Sequence, residues 1–313
     1  MPDTAPDTAP DTAPDTAPDT APGPGPASRS YFSQRLRLHY VDWGNPDGEP
    51  LLMVHGGRDH CRNWDWVAQA MKDEYHILAP DLRGHGDSQW MVGGTYLIND
   101  YVYDIAQLIH QQKLSPLTIV AHSYGGAIAL RYAGIYPENV KRMVVIEGLG
   151  PPPKMIAQRQ GKPAHERLDE WIGQMRGLSG RSPRRYDSLD AAFERMAEEN
   201  PHLSRERAFH LTRHGMNQNE DGTWSWKFDN YVRAFPPERW DAEETAGLWR
   251  RIACPVLLVR GTDSWASDPV EDGRMEHFRN ARAVNVEKAG HWVHHDQFDE
   301  FMGLTREFLA QTA

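Results

Sequence analysis

The chain has 313 residues, with 44 acidic side chains against 34 basic ones and a formal net charge of −10. That balance leaves no basic surplus to neutralise phosphates, which excludes nucleic acid as the main partner, and no stretch approaches the roughly 20 apolar residues of a membrane span. Cys61 and Cys254 are the only cysteines, so a disulfide framework is excluded and a reducing cytoplasm is the expected compartment.

From the start, Pro2 to Pro22 is a near-perfect tandem repeat of Pro-Asp-Thr-Ala followed by Gly23-Pro24-Gly25-Pro26. It lacks any large apolar residue and cannot offset the entropy of ordering, so residues 1–28 are expected to be a disordered tail. Its five aspartates supply half of the net charge, which leaves the remainder only mildly acidic. Leu36 to Trp43 alternates apolar and polar, as a strand with one wet face does. Leu51-Leu52-Met53-Val54 is a continuous apolar run, the mark of a central strand covered on both faces, and it ends in His55-Gly56-Gly57-Arg58-Asp59. Trp64, Val67, Ala68 and Met71 recur at helical spacing. Tyr75 to Ala79 is the next strand and runs into Pro80-Asp81-Leu82-Arg83-Gly84-His85-Gly86-Asp87-Ser88, where glycines permit a compact turn that charges can tie.

Tyr101, Ile105, Leu108 and Ile109 form a helix face, and Pro116 to Val120 is a short buried strand. Then comes Ala121-His122-Ser123-Tyr124-Gly125-Gly126, followed by helix formers. A strand reversing into a helix within so few residues pushes Ser123 outward, where helix N–H groups and the helix dipole favour a developing negative charge. Val140 to Ile146 is a further strand, ending at Glu147. From Pro151 the rhythm breaks, and helical segments (Ala164 to Gly177, Leu189 to Glu199, Arg205 to His214) alternate with charged connectors, with no convincing strand before about residue 245. Trp171, Trp224, Trp226 and Trp240 lie there, as core residues or as the lining of a pocket. The sheet resumes at Val256 to Arg260, followed by Gly261-Thr262-Asp263. Ala281 to Glu287 is the last strand and leads to Ala289-Gly290-His291-Trp292-Val293-His294-His295. Phe298, Phe301, Leu304 and Phe308 close the chain as an amphipathic helix. Strands separated by helices imply a parallel sheet with right-handed crossovers, with ligands beyond the carboxyl ends of the strands, where Gly57, Ser123 and Glu147 fall.

Four of these blocks together (His55 to Asp59, Asp81 to Ser88, Ala121 to Gly125, and Gly290-His291) resemble the α/β-hydrolase superfamily over nearly the whole chain from residue 30. Ala121 stands where the common elbow pattern has its first glycine. The resemblance implies an α/β-hydrolase fold: a mostly parallel central sheet flanked by helices, with residues 29–150 and 246–313 as core and 151–245 as an inserted helical cap. It implies a triad of Ser123, His291 and an acid, with the N–H groups of Gly57 and Tyr124 as oxyanion donors. Two acids qualify. Asp263 occupies the commonest place in serine members, although its loop is one residue shorter than the frequent pattern; Glu147 occupies the place some relatives use. Asp263 is favoured on the class default.

Serine at the elbow, where haloalkane dehalogenases and epoxide hydrolases carry aspartate, implies acyl chemistry on a small-molecule substrate. Carboxylic ester hydrolysis is the broad expectation. Carbon–carbon bond hydrolysis, lactonase, thioesterase or perhydrolase-type activity is the alternative on the same triad, and a ligand-binding, receptor-like role on the same fold is the alternative of another class. No cofactor is required. His291, His294 and His295 invite a metal reading, but no carboxylate or cysteine pair accompanies them, so no metal is expected. Oligomeric state, substrate identity and the role of the repeat are not encoded in these patterns.

Overall fold

The computed structural model describes residues 25–311, apart from 235 and 238–240. Three strands open the described chain: β1 (Ala27–Ser33), β2 (Leu36–Asp42) and β3 (Glu49–Val54). Helix α1 (Asp65–Met71), β4 (Tyr75–Pro80), α2 (Ile98–Gln112), β5 (Leu117–His122), α3 (Tyr124–Ile135) and β6 (Val140–Ile146) follow. Next come α4 (Pro153–Gln160), α5 (Ala164–Ser179), α6 (Leu189–Glu199), α7 (Arg205–Gly215) and a small pair, β7 (Met216–Gln218) and β8 (Trp224–Trp226). The chain closes with α8 (Ala242–Arg251), β9 (Val256–Gly261), β10 (Ala281–Val286), α9 (Val293–Asp296) and α10 (Phe298–Ala310).

Eight strands form one sheet in the order β1-β2-β4-β3-β5-β6-β9-β10. β1, β2 and β4 pair antiparallel, and every other neighbouring pair is parallel. Strand side chains alternate between the two faces, which splits the core in two. Leu52, Val54, Ile119, Ala121 and Val145 pack under α2, α3 and α8 through residues such as Ile105, Ile128 and Trp249. Leu51, Met53, Val120, Val144 and Ile146 face α1 and α10 through Val67, Met71, Phe301 and Phe308. Covering both faces explains why β3, β5 and β6 read as continuous apolar runs.

Close approach at the centre is made possible by glycines. A Cβ on Gly125 would lie 2.3 Å from the carbonyl oxygen of His55 and 2.5 Å from that of Val54, and one on Gly126 would lie 2.6 Å from the Cα of Gly148. The loop after β4 is tied as its charges suggest. The buried Asp81 carboxylate accepts from the N–H groups of Cys61 (2.7 Å) and Asp87 (2.9 Å) and from His39 Nδ1 (2.7 Å). Arg83 makes a buried two-pronged pair with Asp104, at 2.6 and 2.7 Å. These charges hold the turn, while the carboxylate of Asp87 reaches out to Lys227 at 2.8 Å.

Three boundaries differ from those expected. The repeat up to residue 24 lies outside the described residues, but Ala27 and Ser28, assigned to the tail, pair with Asp42 and Val41 as part of β1. Only Tyr31 and Ser33 of β1 are buried, so little apolar periodicity marks it. The segment after β6 contains a strand pair, β7–β8, of three residues each, too short for periodicity to reveal. Residue 245 falls inside α8, which packs on α3: Arg251 Nε donates to the Gly134 carbonyl at 2.8 Å, and Gly134 has no room for a Cβ beside Leu248. The expected helices of the inserted segment coincide with α5, α6 and α7. Ser188, Ser204 and Asp241 cap α6, α7 and α8. No helix among the described residues is long and apolar enough to cross a membrane.

Candidate active site

β5 ends at His122 and α3 begins at Tyr124, leaving Ser123 alone in the turn with φ 52° and ψ −119°. A residue bearing a Cβ pays roughly 1–3 kcal/mol for such a conformation, which persists because its surroundings over-determine it. The Ser123 N–H is held by the Ile146 carbonyl at 2.8 Å, and its own carbonyl accepts from Ala127 as the first turn of α3. Behind it, Gly56 has no space for a Cβ because His122 and Ser123 would meet it at 2.9 and 3.1 Å.

The Ser123 hydroxyl donates to His291 Nε2 at 2.9 Å. His291 Nδ1–H donates to Glu147 Oε2 at 2.5 Å. Glu147 is the residue directly after β6, its backbone in the left-handed region at φ 49° and its N–H bonded to the Val259 carbonyl at 2.9 Å. Its side chain is fully buried (0 % exposed) and accepts two further bonds, from Gly261 N–H at 2.9 Å and from the Ser264 hydroxyl at 2.5 Å.

Asp263 is not at this position, and the preference for it is corrected. Its N–H is captured by the Ala289 carbonyl at 3.0 Å, which turns the loop so that its side chain is exposed. Its carboxylate meets only the neighbouring Thr262 hydroxyl, at 3.3 Å, among the described hydrogen bonds. The loop after β9 instead serves Glu147, by lending it Gly261 and Ser264.

Gly57 stands next to the elbow: a Cβ placed on it would lie 3.9 Å from that of Tyr124. The turn carrying Gly57 is locked by His55. His55 Nε2 accepts from Leu82 N–H at 3.0 Å, so its proton sits on Nδ1 and is donated to the Gly56 carbonyl at 2.7 Å. Burial pushes His55 down to about 3, and it stays neutral.

Several supporting residues escaped the sequence patterns. His122 is buried beneath His291, with ring centroids 4.7 Å apart, and donates from Nε2 to the His291 carbonyl at 2.9 Å. Burial, then the neighbouring His291, holds it well below its ordinary value. Asn63 Oδ1 accepts from both His294 Nε2 (2.6 Å) and His295 Nε2 (2.8 Å). Those two histidines anchor α9, just past His291, to the 3₁₀ turn Cys61–Trp64 that precedes α1. Trp265, exposed, lies over His291 at 5.0 Å. Of the four tryptophans singled out, Trp224 and Trp226 pack with Tyr186, Leu189 and Met216 in a satellite cluster. Trp171 is half-buried, and Trp240 lies outside the described residues.

Two clusters elsewhere gather three metal-type donors each: His39, Cys61 and Asp81, and Asp65, His210 and His214. In the first, His39 already donates to Asp81, and Asp81 is further saturated by backbone N–H groups. In the second, the Arg62 guanidinium pairs with Asp65 at 2.6 Å and reaches His214 Nδ1 at 3.4 Å, supplying the positive charge itself. Neither has an open position for an ion.

Known proteins resemble the chain along nearly its whole length. It is 27% identical over 292 residues to esterase Rv0045c of Mycobacterium tuberculosis, covering 91% of this chain and 90% of that one. It is 23% identical over 271 residues to esterase YbfF of Escherichia coli, covering 84% and 94%. Among solved structures, hypothetical protein PA1622 from Pseudomonas aeruginosa PAO1 superposes with a TM-score of 0.79 at 24% identity, covering 91% of this chain and 99% of that one. The family model described as alpha/beta hydrolase matches residues 51–304. On that match, and with the sheet and elbow described above, the chain belongs to the alpha/beta hydrolase family and is a hydrolase.

Proposed function

We propose that this protein cleaves a carboxylic ester through a covalent acyl-enzyme on Ser123, with His291 as general base and acid and Glu147 as the third member. The observation that carries this reading is the continuous hydrogen-bond chain Glu147–His291–Ser123, at 2.5 and 2.9 Å, ending on a serine in a strained turn. A serine hydroxyl is a weak nucleophile at neutral pH, so the proton must leave as attack begins, and His291 Nε2 is positioned to take it. The resulting imidazolium is stabilised by Glu147, whose two other donors fix the orientation of its carboxylate. The tetrahedral oxyanion is assigned to the N–H groups of Gly57 and Tyr124, the latter at the positive end of the α3 dipole. His291 then protonates the leaving alcohol, and a water activated by the same nitrogen releases the acid.

Ester specificity draws support from the two esterases to which the chain is similar. Lactone, thioester, carbon–carbon and perhydrolase chemistry share the acyl-enzyme and are separated from it by substrate profile. A receptor-like role without turnover would not need the intact hydrogen-bond chain. The test is labelling by a serine-reactive phosphonate together with turnover of esters of graded chain length. The expected result is one added mass on Ser123 in the wild type, none in Ser123→Ala, and ester turnover in the wild type alone. Equal labelling and turnover in Ser123→Ala would discard the reading.

A further inference from the structure

We propose that Trp265 determines specificity for the leaving group: the ester cleaved here has an alcohol portion that carries an aromatic ring, one carbon from the scissile oxygen, and packs it on the indole. This rests on the hydrolase reading above. The starting point is a contact. The Trp265 ring lies over the His291 ring with centroids 5.0 Å apart and 39° between the planes, within the range of favourable aromatic pairs. His291 Nε2 in turn meets the Ser123 hydroxyl at 2.9 Å, so one imidazole separates the indole from the nucleophile.

Among the described residues, two rings pair with His291, and they differ in what they leave open. His122, at 4.7 Å, is 1% exposed and donates to the His291 carbonyl, so no ligand can lie against it. Trp265 is 64% exposed, and the His291 side chain beside it is itself 25% exposed. The part of the histidine that a substrate can meet is therefore the part that Trp265 borders.

A single exposed apolar side chain is ordinary on a loop; this one is also held rigidly in register with the imidazole. On one side of it, Ser264 donates its hydroxyl to Glu147 Oε2 at 2.5 Å and its N–H to the Gly261 carbonyl at 3.2 Å. On the other, Ala266 donates its N–H to the Ser264 hydroxyl at 3.3 Å, and its carbonyl accepts from Arg260 Nε at 2.7 Å. Both neighbours are thus tied to β9 and to the carboxylate that holds His291. An indole fixed there and left uncovered forgoes burial that an apolar ligand would supply.

The chemistry decides which part of the substrate covers it. As the tetrahedral intermediate collapses, His291 Nε2 gives its proton to the leaving oxygen, which must lie about 3 Å away. The acyl carbon is then bonded to Ser123, and its oxyanion faces the proposed donors Gly57 and Tyr124. The substituent next to the imidazole is the leaving alcohol. A phenyl ring joined to that oxygen through one methylene reaches an indole packed on the same imidazole, and the two rings shed water from each other.

The experiment uses the full chain and compares kcat/KM for four esters by pH-stat titration. In the alcohol arm, benzyl butyrate is set against methyl butyrate, whose alcohols are nearly equal in acidity. In the acyl arm, methyl 3-phenylpropionate is set against methyl propionate. The readout is the ratio of phenyl-bearing to plain ester in the wild type, Trp265→Phe, Trp265→Leu and Trp265→Ala, so that any general loss of activity cancels. We expect a wild-type alcohol-arm ratio above about tenfold, largely kept in Trp265→Phe, reduced in Trp265→Leu and cut by at least about fivefold in Trp265→Ala. The acyl-arm ratio should move by less than about twofold throughout. A wild-type alcohol-arm ratio near one, a ratio that neither Trp265→Leu nor Trp265→Ala moves, or an acyl-arm ratio that falls as far overturns the inference, while phosphonate labelling of Ser123 leaves the hydrolase reading standing. Absence of labelling in the wild type overturns both.

Discussion

Glu147 holds its place because three donors from three parts of the chain converge on one buried carboxylate: Gly261, Ser264 and His291. Replacing it by glutamine keeps the shape but removes the charge that, on the proposed mechanism, orients and stabilises the imidazole. Glu147→Gln is therefore expected to lower kcat by about 10³–10⁴-fold with the fold intact by circular dichroism. Asp263→Asn, at an exposed site bonded only to its neighbour, is expected to stay within about twofold, as surface changes usually do. The reverse pattern in a side-by-side rate measurement would restore Asp263. Sequence patterns brought both acids to the same edge of the sheet and stopped there. What separates them is the direction of two side chains, set by the bond of the Glu147 N–H to the Val259 carbonyl and by capture of the Asp263 N–H on Ala289. Both are contacts between segments far apart in the chain, and neither leaves a local pattern. Ser123 and His291 were legible because strand, turn and helix signals crowd around them.

At the level of elements, α3 meets the end of β3 with nothing between them but the missing side chain of Gly125. Gly125→Ala would drive a methyl group to 2.3 Å from one backbone carbonyl oxygen and 2.5 Å from another, and neither can rotate away. Overpacking of this kind costs about 1–3 kcal/mol or more. It should also tilt α3 and carry Ser123 away from His291. The expected result is a urea midpoint lowered by the equivalent of at least about 2 kcal/mol together with a rate deficit; an unchanged midpoint would contradict the packing. The parallel strands and their helices were readable because double-sided burial writes long apolar runs. β1 was not, since it lies on the sheet edge with two buried residues, and neither was β7–β8, since three residues are too few for a period.

For the whole molecule, the interior carries an unusual load of neutral imidazole. Burial pushes His55 and His214 down to about 3 and His85 to about 4, and holds His122, His294 and His295 well below the ordinary histidine value. Unfolded, each binds a proton near pH 6.5. Their contribution is thus complete above about pH 6.5 and is lost as pH falls toward the folded values, with up to about six protons taken up on unfolding. Asp59, Asp104 and Asp296, lifted by burial, act in the opposite sense nearer the carboxylate range. We expect the thermal midpoint to fall steeply between pH 6.5 and 5, with proton uptake measurable by calorimetry in buffers of different ionisation heat. A flat midpoint down to pH 5 would show that these rings are hydrated. Fifteen histidines are plain in the sequence, but which of them are buried is a property of the packing alone.

The proposed triad, with its acid at Glu147 directly after β6, also redistributes evolutionary freedom. On that reading the stretch beyond Ser264 has no reacting carboxylate to aim, and within it Val270 is 61% exposed. That rim becomes a graftable edge, where length and composition can change without re-engineering the hydrogen-bond chain. Inserting a short Gly-Ser run after Val270 opens the Asp272 N–H to Asp268 carbonyl bond of 3.0 Å, and should lower the thermal midpoint by no more than a few degrees and preserve the rate of Ser123 labelling while altering which substrates are turned over. Drift in acceptance is then possible at a place the chemistry does not constrain.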